Sequence, residues 1–347
     1  MEARRTTGDF RGLFGACGHR AHKAPGHGGG LGSTTVRNML EPTWPDNLRV
    51  LERGWLSSNN ILLMPPEGEA GSAVLIDSGH SAHAEQTQAL LAHALQGRTL
   101  GRLVNTHLHS DHCGGNALLQ HHHDLTTAVP ASQLTAVQRW DREALSYAAT
   151  GQRCDAFRAE EPLFTGETMQ WAGQSWTSLA APGHDPHALM LWRDDVGVLV
   201  AGDALWENGF GVVFPELEGV GAFDEVAQVL DLIETLPVRW VIPGHGAAFT
   251  DVAGALQRAR RRLAAHRAAP HRHARHAAKV LVKYHLMEEL RQDVQTLLDW
   301  AETTPLLHSC QARAQEPGTP REFAERLLLE LLEASALRRE GQVILDV

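Results

Sequence analysis

The segment from Leu103 to Asn116 constrains the fold of this chain more than any other. It reads LVNTHLHSDHCGGN, so an apolar strand is followed at once by four metal-ligand side chains within six residues. Side chains two apart in an extended chain point the same way, so His107 and His109 can share one ion. Asp111 and His112 lie where the chain turns into a helix and can reach a second ion. This spacing predicts a metal site rather than solvated histidines.

Three further ligand-type residues occur singly, each beside a glycine and just after an apolar run. His184 follows TSLA in Ala-Pro-Gly-His, Asp203 follows VLVA in Gly-Asp, and His245 follows WVI in Pro-Gly-His-Gly. Neighbouring strands of a sheet bring residues at their carboxyl ends to one edge, where binding sites commonly form. The sequence therefore predicts that these three residues join the cluster that begins at His107.

The secondary-structure pattern changes near residue 250. Before it, short apolar strands alternate with predicted helices, including residues 84–95, a long stretch at 131–149, and residues 223–235. After it, the chain is mostly helical: Pro270 interrupts the pattern, helices are predicted at 275–290, 291–302 and 320–336, and residues 342–345 form a short strand. The pattern predicts an α/β domain followed by a small helical, winged-helix-like domain.

The ordered set T-H-x-H-x-D-H-x-G-G-N, then G-H, G-D and G-H-G, resembles the metallo-β-lactamase superfamily, in its glyoxalase II-like branch, over roughly residues 48–250. The resemblance implies an αββα sandwich with two metal ions between its sheets. Zinc is the expected metal, with iron or manganese as alternatives. The implied role of Asp111 is both ligation and catalysis, by orienting the water. By this resemblance His107, His109 and His184 hold the first ion, Asp111, His112 and His245 hold the second, and Asp203 bridges them.

The implied reaction is hydrolysis by a metal-activated hydroxide, and the residues around the ligands narrow the substrate. β-Lactamases of the superfamily typically carry cysteine or serine where this chain has Asp203, so penicillins are not expected. Asp185 replaces the threonine or serine usual after the third histidine, which argues against a glutathione thioester. Trp206 and Asn208 are predicted to contact substrate and favour an apolar or aromatic ester, thioester or lactone. Hydrolytic dehalogenation of chlorinated aromatics is the alternative.

The predicted organisation is a flexible Gly-rich segment at 1–40, a catalytic domain at 41–255 and the helical domain at 256–347. A DNA- or protein-binding regulatory role of the last domain is the alternative of another class. The formal charge of −10 argues against nucleic acid.

Two further features bear on location and partners. The four cysteines form no C-x-x-C pair and no long apolar run occurs, so we expect a cytoplasmic protein without a membrane span that acts on a small molecule. The chain has 21 histidines, and those outside the predicted site are expected to be solvated. A second metal site between the subunits of a homodimer is the alternative, resting on His121–His123 and on His266, His271, His273 and His276.

Overall fold

The computed structural model describes residues 44–347, of which Pro45–Val347 form one compact unit. The predicted flexible segment 1–40 lies outside the described residues. In chain order the strands are β1 Leu48–Leu51, β2 Asn60–Leu63, β3 Ala73–Ile76, β4 Leu100–Val104, β5 Thr126–Pro130, β6 Glu161–Leu163, β7 Thr168–Trp171, β8 Gln174–Ala180, β9 Leu189–Arg193, β10 Val198–Gly202, β11 Trp240–Pro243, β12 Arg291–Asp293, β13 Leu337–Glu340 and β14 Val343–Asp346. The helices are α1 Ala84–Leu95, α2 Ser110–Cys113, α3 Asn116–His122, α4 Leu134–Arg139, α5 Tyr147–Thr150, α6 Phe214–Glu218, α7 Phe223–Thr235, α8 Val252–Ala268, α9 Pro270–Glu289, α10 Val294–Thr303, α11 Pro305–Arg313 and α12 Pro320–Glu333.

Two mixed sheets form the centre of the unit. The first has the order β1-β2-β3-β4-β5-β6, with parallel pairing from β3 to β6, and the second has the order β11-β10-β9-β8-β7, with only β10 and β11 parallel. Strands β3, β9 and β10 are buried along their whole length, as expected for continuous apolar runs covered on both faces.

Helices cover the outer faces of both sheets. Leu91 of α1 and Leu119 of α3 pack into the core of the first sheet, whereas Leu230 of α7 and Leu256 of α8 pack into the core of the second. This arrangement confirms the predicted α/β class and the αββα sandwich.

The long helix predicted at 131–149 is wrong. The structure has a short 3-10 turn at Ala131–Gln133, then α4, then a break that lasts until α5. Trp140 and Ser146 adopt left-handed backbone angles, φ 49° and 64°, which a continuous helix excludes. The ring of Trp140 lies 5.8 Å from that of Tyr147 and 5.5 Å from that of Phe157, inside a buried cluster. The helical periodicity there reflected core packing.

The C-terminal region is helical, as predicted. Pro270 begins α9, where its missing N–H costs nothing, so the break predicted at this proline is confirmed. The sequence pattern did not indicate α11, and the predicted strand at 342–345 is β14, which pairs with β13 and β12. The domain boundary at residue 255 stays a prediction, and it would fall inside α8.

Within residues 44–347, no helix combines the length and apolarity that crossing a membrane requires.

Candidate metal centre

The predicted ligands all lie just beyond the ends of strands. Residues 107–112 follow β4, His184 follows β8, Asp203 follows β10 and His245 follows β11. The structure brings the seven side chains together in two groups, and within each group the candidate ligand atoms lie within 4.8 Å of one another. The first group is His107, His109 and His184; the second is Asp111, His112, Asp203 and His245.

The first group is a set of three buried imidazoles. His109 Nδ1 lies 2.8 Å from His184 Nε2, and the two rings stand nearly perpendicular, at 84°. His107 Nε2 is buried and has no hydrogen-bond partner. Three nitrogen atoms directed at one point, one of them unsatisfied, form a cradle for a cation rather than a packed core.

The second group contains both carboxylates. His245 Nε2 lies 3.0 Å from Asp111 Oδ2, and His112 Nε2 lies 3.5 Å from Asp203 Oδ1. The other oxygen of Asp203, Oδ2, lies 3.4 Å from His184 Nε2 in the first group. One carboxylate therefore faces both groups with different oxygen atoms, which is the geometry a bridging ligand needs.

Asp77 contacts Thr106 and His112 beside the candidate ligands, and it was not predicted from the sequence. Its carboxylate accepts hydrogen bonds from the backbone N–H of Thr106 at 2.9 Å and from the Thr106 hydroxyl at 2.7 Å, and it lies 2.8 Å from His112 Nδ1. Holding Nδ1 leaves His112 Nε2 free for an ion, the arrangement typical of metal-binding histidines. The available signal was position, because Asp77 directly follows β3 as the ligands follow their own strands.

Two histidines of the first group have similar supports. His184 Nδ1 lies 2.6 Å from the carbonyl oxygen of Val212, and His109 Nε2 lies 3.6 Å from Asp185 Oδ2. Asp185 is itself buried. The residue that departs from the family's usual threonine or serine thus lies behind a candidate ligand, the position in which outer carboxylates commonly orient metal-binding histidines.

The loop after β11 approaches the cluster so closely that only glycine fits at position 244. A Cβ atom on Gly244 would lie 2.1 Å from Asp203 Oδ1 and 2.9 Å from His112 Cε1. Both distances are far inside van der Waals contact. The glycine before His245 is therefore required by the space that Asp203 and His112 occupy.

Burial sets the protonation of the first group. It lowers the pKa values of His109 and His184 to about 4 and that of His107 well below its ordinary value. Neutral imidazole is the form that binds metal ions. In the second group, burial raises the pKa of Asp111, but His112 and His245 outweigh it and hold the value at about 2. The metal-free first group therefore holds neutral histidines, whereas in the second group Asp111 is ionised and the pKa of His112 is raised by Asp77, Asp111 and Asp203.

These observations fit a pair of divalent cations. His107 Nε2 and His112 Nε2 are buried ring nitrogens without hydrogen-bond partners, one in each group. Leaving such groups unsatisfied costs about 1–3 kcal/mol each, which an ion removes. Nitrogen and carboxylate oxygen donors suit zinc, iron or manganese. The site is a candidate metal-binding cluster, and the assignment of each residue as a ligand stays a prediction.

Both tyrosines of the chain hold the ligand segment 107–113 from opposite regions of the sequence. The Tyr147 hydroxyl donates to the carbonyl oxygen of Leu108 at 2.7 Å. The Tyr284 hydroxyl, from α9, lies 2.7 Å from Ser110 Oγ, which in turn donates to Gln152 at 3.0 Å. Neither role was expected from the sequence.

Two tryptophans flank the second ligand group. Trp206 donates its indole N–H to Asp203 Oδ1 at 3.1 Å, and its ring lies 5.6 Å from that of His245. The Trp55 ring stacks on His245 at 5.6 Å and meets Trp206 edge-on at 5.4 Å. Asn208 is exposed in the turn beyond Trp206. Trp206 thus lies at the metal cluster, Trp55 was missed, and substrate contact by Trp206 and Asn208 stays a prediction.

The remaining histidines form no second cluster of this type. Among residues 44–347, three or more candidate ligands converge only in the two groups described above. His121–His123 lie at the end of α3, and the histidines of α8 and α9 within the described residues do not bring three ligand atoms within 4.8 Å of one another. The alternative of a second metal site has no support within one copy of the described chain.

Comparison with known proteins extends the resemblance. Similar curated proteins include a hydroxyacylglutathione hydrolase of Synechococcus sp. (strain JA-2-3B'a(2-13)), 31% identical over 185 residues, and the probable metallo-hydrolase YflN of Bacillus subtilis (strain 168), 27% identical over 220 residues. The first match covers 52% of this chain and 64% of the relative, and the second covers 55% and 81%. The chain thus spans less than two thirds of the first relative.

A solved structure shares the fold over more of the chain. A metallo-β-lactamase family protein from Thermus thermophilus matches with a TM-score of 0.51 and 21% identity, covering 87% of this chain and 99% of that one. The sequence pattern of the Metallo-beta-lactamase superfamily matches residues 53–245, more than half of the chain and the whole span from before β2 to the last histidine of the cluster. The chain belongs to the metallo-β-lactamase superfamily.

Proposed function

We propose that this protein is a dinuclear metal-dependent hydrolase of a small ester, thioester or lactone. The observation that supports it best is Asp203, whose two oxygens face the two ligand groups at 3.4 and 3.5 Å. Relatives named as hydrolases match about half of the chain.

The residues divide the chemistry between them. Two bound divalent ions supply Lewis acidity, which brings the pKa of a water molecule toward 7. Asp111, ionised and 3.0 Å from His245, is placed to accept a hydrogen bond from that water and to orient it toward an acyl carbon. Asp77 and Asp185 hold the imidazoles of His112 and His109 in place. Zinc is the metal we expect, with iron or manganese as alternatives.

The surroundings of the second group favour a flat or apolar substituent. Trp55 and Trp206 enclose the ring of His245 from two sides, and both rings are partly exposed. An acyl or aryl group placed against them is desolvated beside the reacting carbonyl. A glutathione thioester is the substrate in the name of several relatives, and Asp185 behind His109 is the feature that argues against it here.

Two other functions were open from the sequence. Hydrolytic dehalogenation of chlorinated aromatics would use the same candidate ligands and the same two tryptophans, Trp55 and Trp206, so it remains an alternative. A nucleic-acid-binding role through α12 is less well supported, because this helix carries four glutamates against two arginines. An acidic helix repels a phosphate backbone.

The test combines metal content with a substrate panel. Elemental analysis of metal-replete protein is expected to give two ions per chain, and chelation is expected to abolish turnover. Steady-state kinetics should show higher kcat/KM for aryl esters, lactones or activated haloaromatics than for glutathione thioesters or penicillins. Full activity with one ion per chain would contradict the dinuclear centre. A glutathione thioester as the best substrate would contradict the substrate assignment alone.

A further inference from the structure

A cluster of basic side chains lies where α8 and α9 meet the loop after Asp203. Arg262 and His266 belong to α8, and His273 and His276 belong to α9. Arg262 Nε donates to His266 Nε2 at 3.4 Å, and its Nη2 lies 3.4 Å from His276 Nε2. The rings of His266 and His273 are 4.7 Å apart. Two imidazoles thus contact the guanidinium, and the third packs against His266.

Arg262 differs from Arg258, Arg260 and Arg267 on α8 because it has no carboxylate partner among the described residues. Arg258 pairs with Asp251 at 3.1 Å and Arg260 with Asp231 at 2.7 Å, and Arg267 pairs with Asp224. Arg262 instead lies over the ring of Phe210, at 5.5 Å from its centroid. A ring face attracts a cation but does not neutralise it.

The protonation of the cluster follows from this arrangement. Burial lowers the pKa of Arg262 to about 10, so it remains charged at neutral pH. Burial, together with nearby positive charge, lowers the pKa values of His266 and His276 to about 3. The cluster therefore holds one positive charge, that of Arg262, among neutral imidazoles. Burying a cation without a counter-ion costs free energy, and a bound anion would lower that cost.

This cluster adjoins the metal centre through a single turn. Trp206 and Gly209 exchange backbone hydrogen bonds, from Trp206 N–H to the Gly209 oxygen at 2.7 Å and in return at 3.4 Å. Trp206 bonds Asp203 on one side of the turn. On the other side, a Cβ atom on Gly209 would lie 2.9 Å from Arg262 Cδ and Nη1. Gly209 therefore lets the Arg262 guanidinium lie directly beside the turn that carries Trp206.

We propose that Arg262, positioned by His266 and His276, binds an oxyanion, a carboxylate or phosphate, that belongs to the substrate hydrolysed at the metal centre. This proposal rests on the proposed function. Arg262 Nη1 makes no hydrogen bond within the described residues and is not sealed from solvent, so it has donors available for an anion. The guanidinium fork matches the geometry of both oxyanions. The substrate class becomes an ester or thioester whose acyl chain, rather than its leaving group, carries the anionic group.

The sharpest test compares two esters that differ in one charge. 4-Nitrophenyl butyrate and the 4-nitrophenyl monoester of succinic acid have similar size, and only the second carries a carboxylate. We expect the metal-loaded wild type to prefer the acidic ester. Arg262→Met should lower kcat/KM for the acidic ester about ten- to a hundredfold, the loss of one charge-assisted pair, and change the neutral ester less than twofold.

Two further variants keep the test decisive. Arg261→Met removes an exposed charge from the same helix and should leave both esters unchanged. Arg262→Gln, which is polar but uncharged, should reproduce the selective loss should the methionine variant fold poorly. An equal loss for both esters in the Arg262 variants would show that the residue is only structural and would overturn the proposal.

Calorimetric titration with inorganic sulfate measures anion binding at Arg262 independently of ester hydrolysis. Wild type and Arg261→Met are expected to bind sulfate at least tenfold more tightly than Arg262→Met. If neither ester is hydrolysed, the proposed function fails, and Arg262-dependent sulfate binding still supports the anion site. If sulfate binding does not depend on Arg262, the anion site is refuted. Arg262-dependent sulfate binding without preference for the acidic ester would mean that the anion is a free ion and not part of the substrate.

Discussion

The span from Arg53 to His245 and the C-terminal region from Val252 to Val347 contribute to the metal centre in different ways. The first supplies all seven candidate ligands from the ends of four strands. The second supplies side chains that bond residues next to the candidate ligands. Tyr284 bonds Ser110, and His273 accepts a hydrogen bond from the backbone N–H of Val213. Strand ends place ligands by local geometry, whereas the helices act only through tertiary packing. The first span should therefore govern whether metal binds, and the second how well the site works.

Replacing Asp203 by alanine should have the largest effect, because this residue faces both ligand groups. We expect the variant to lose the second ion while His107, His109 and His184 retain the first. Turnover should fall at least about a hundredfold, since losing even an outer partner of a ligand costs about ten- to a hundredfold. Elemental analysis and kcat provide the measurement. Asp194→Ala, at an exposed position in the turn before β10, is the matched control. Two retained ions with unchanged kcat would exclude Asp203 as a ligand.

Acid should destabilise the metal-free protein, through the histidines of both regions. The pKa values of His109 and His184 are lowered to about 4 by burial, and those of His266 and His276 to about 3. In the unfolded chain these groups titrate near 6.5, so between pH 6.5 and 4 the unfolded state binds more protons. The free energy of unfolding should fall by up to about 1.4 kcal/mol per histidine and pH unit.

Urea denaturation of the metal-free protein at pH 7, 6, 5 and 4 measures this loss. His112 has the opposite sign: burial lowers its pKa, but Asp77, Asp111 and Asp203 outweigh this and raise it. Its contribution is present below pH 6.5 and is lost as pH rises above that value, outside the acid window. Bound metal should protect the ligand histidines and leave the sensitivity of His266 and His276. A free energy of unfolding that stays constant from pH 7 to 4 would contradict the neutral, buried state of these histidines.

Asp185→Asn should have an intermediate effect, because it removes a charge behind His109 and keeps the side-chain shape. We expect metal affinity at the first group to fall about tenfold, the lower end of the range for outer partners of metal-binding histidines. Competition with a chromogenic chelator measures that affinity. Asp195→Asn removes an exposed carboxylate near the second sheet and should leave the affinity unchanged. Equal affinities in the Asp185 variant and wild type would mean that the 3.6 Å contact with His109 has no energetic role.

The sequence predicted the parts of the site that depend on short spacing. His107, His109, Asp111 and His112 are neighbours in the chain, and each remaining ligand follows an apolar run beside a glycine. The structure brings all seven together, as expected from strand ends sharing one edge.

Other parts could not be predicted, because they depend on contacts between distant segments. Asp77 bonds His112 across 35 positions, and Ser110 meets Tyr284 across 174. The break at Trp140 was missed because a buried turn can present the same apolar spacing as a helix. Arg262 was one of several arginines on an Arg-rich helix, and only the fold separates it from those with carboxylate partners.

The two tyrosines give the closest comparison between the regions and the smallest expected effect. Tyr147 bonds a backbone oxygen of the ligand segment from the first span, and Tyr284 bonds the Ser110 side chain of the same segment from α9. Tyr147→Phe leaves the buried Leu108 carbonyl only the weak Cys113 thiol donor at 3.5 Å and should cost about 1–3 kcal/mol of unfolding free energy with little change in kcat. Tyr284→Phe leaves Ser110 its bond to Gln152, so stability should change less, by about 1 kcal/mol. Because Ser110 lies between His109 and Asp111, the kcat of Tyr284→Phe should fall a few-fold. Urea denaturation and steady-state kinetics on both variants provide the measurement, and a larger kcat loss for Tyr147→Phe would reverse the roles assigned to the two regions.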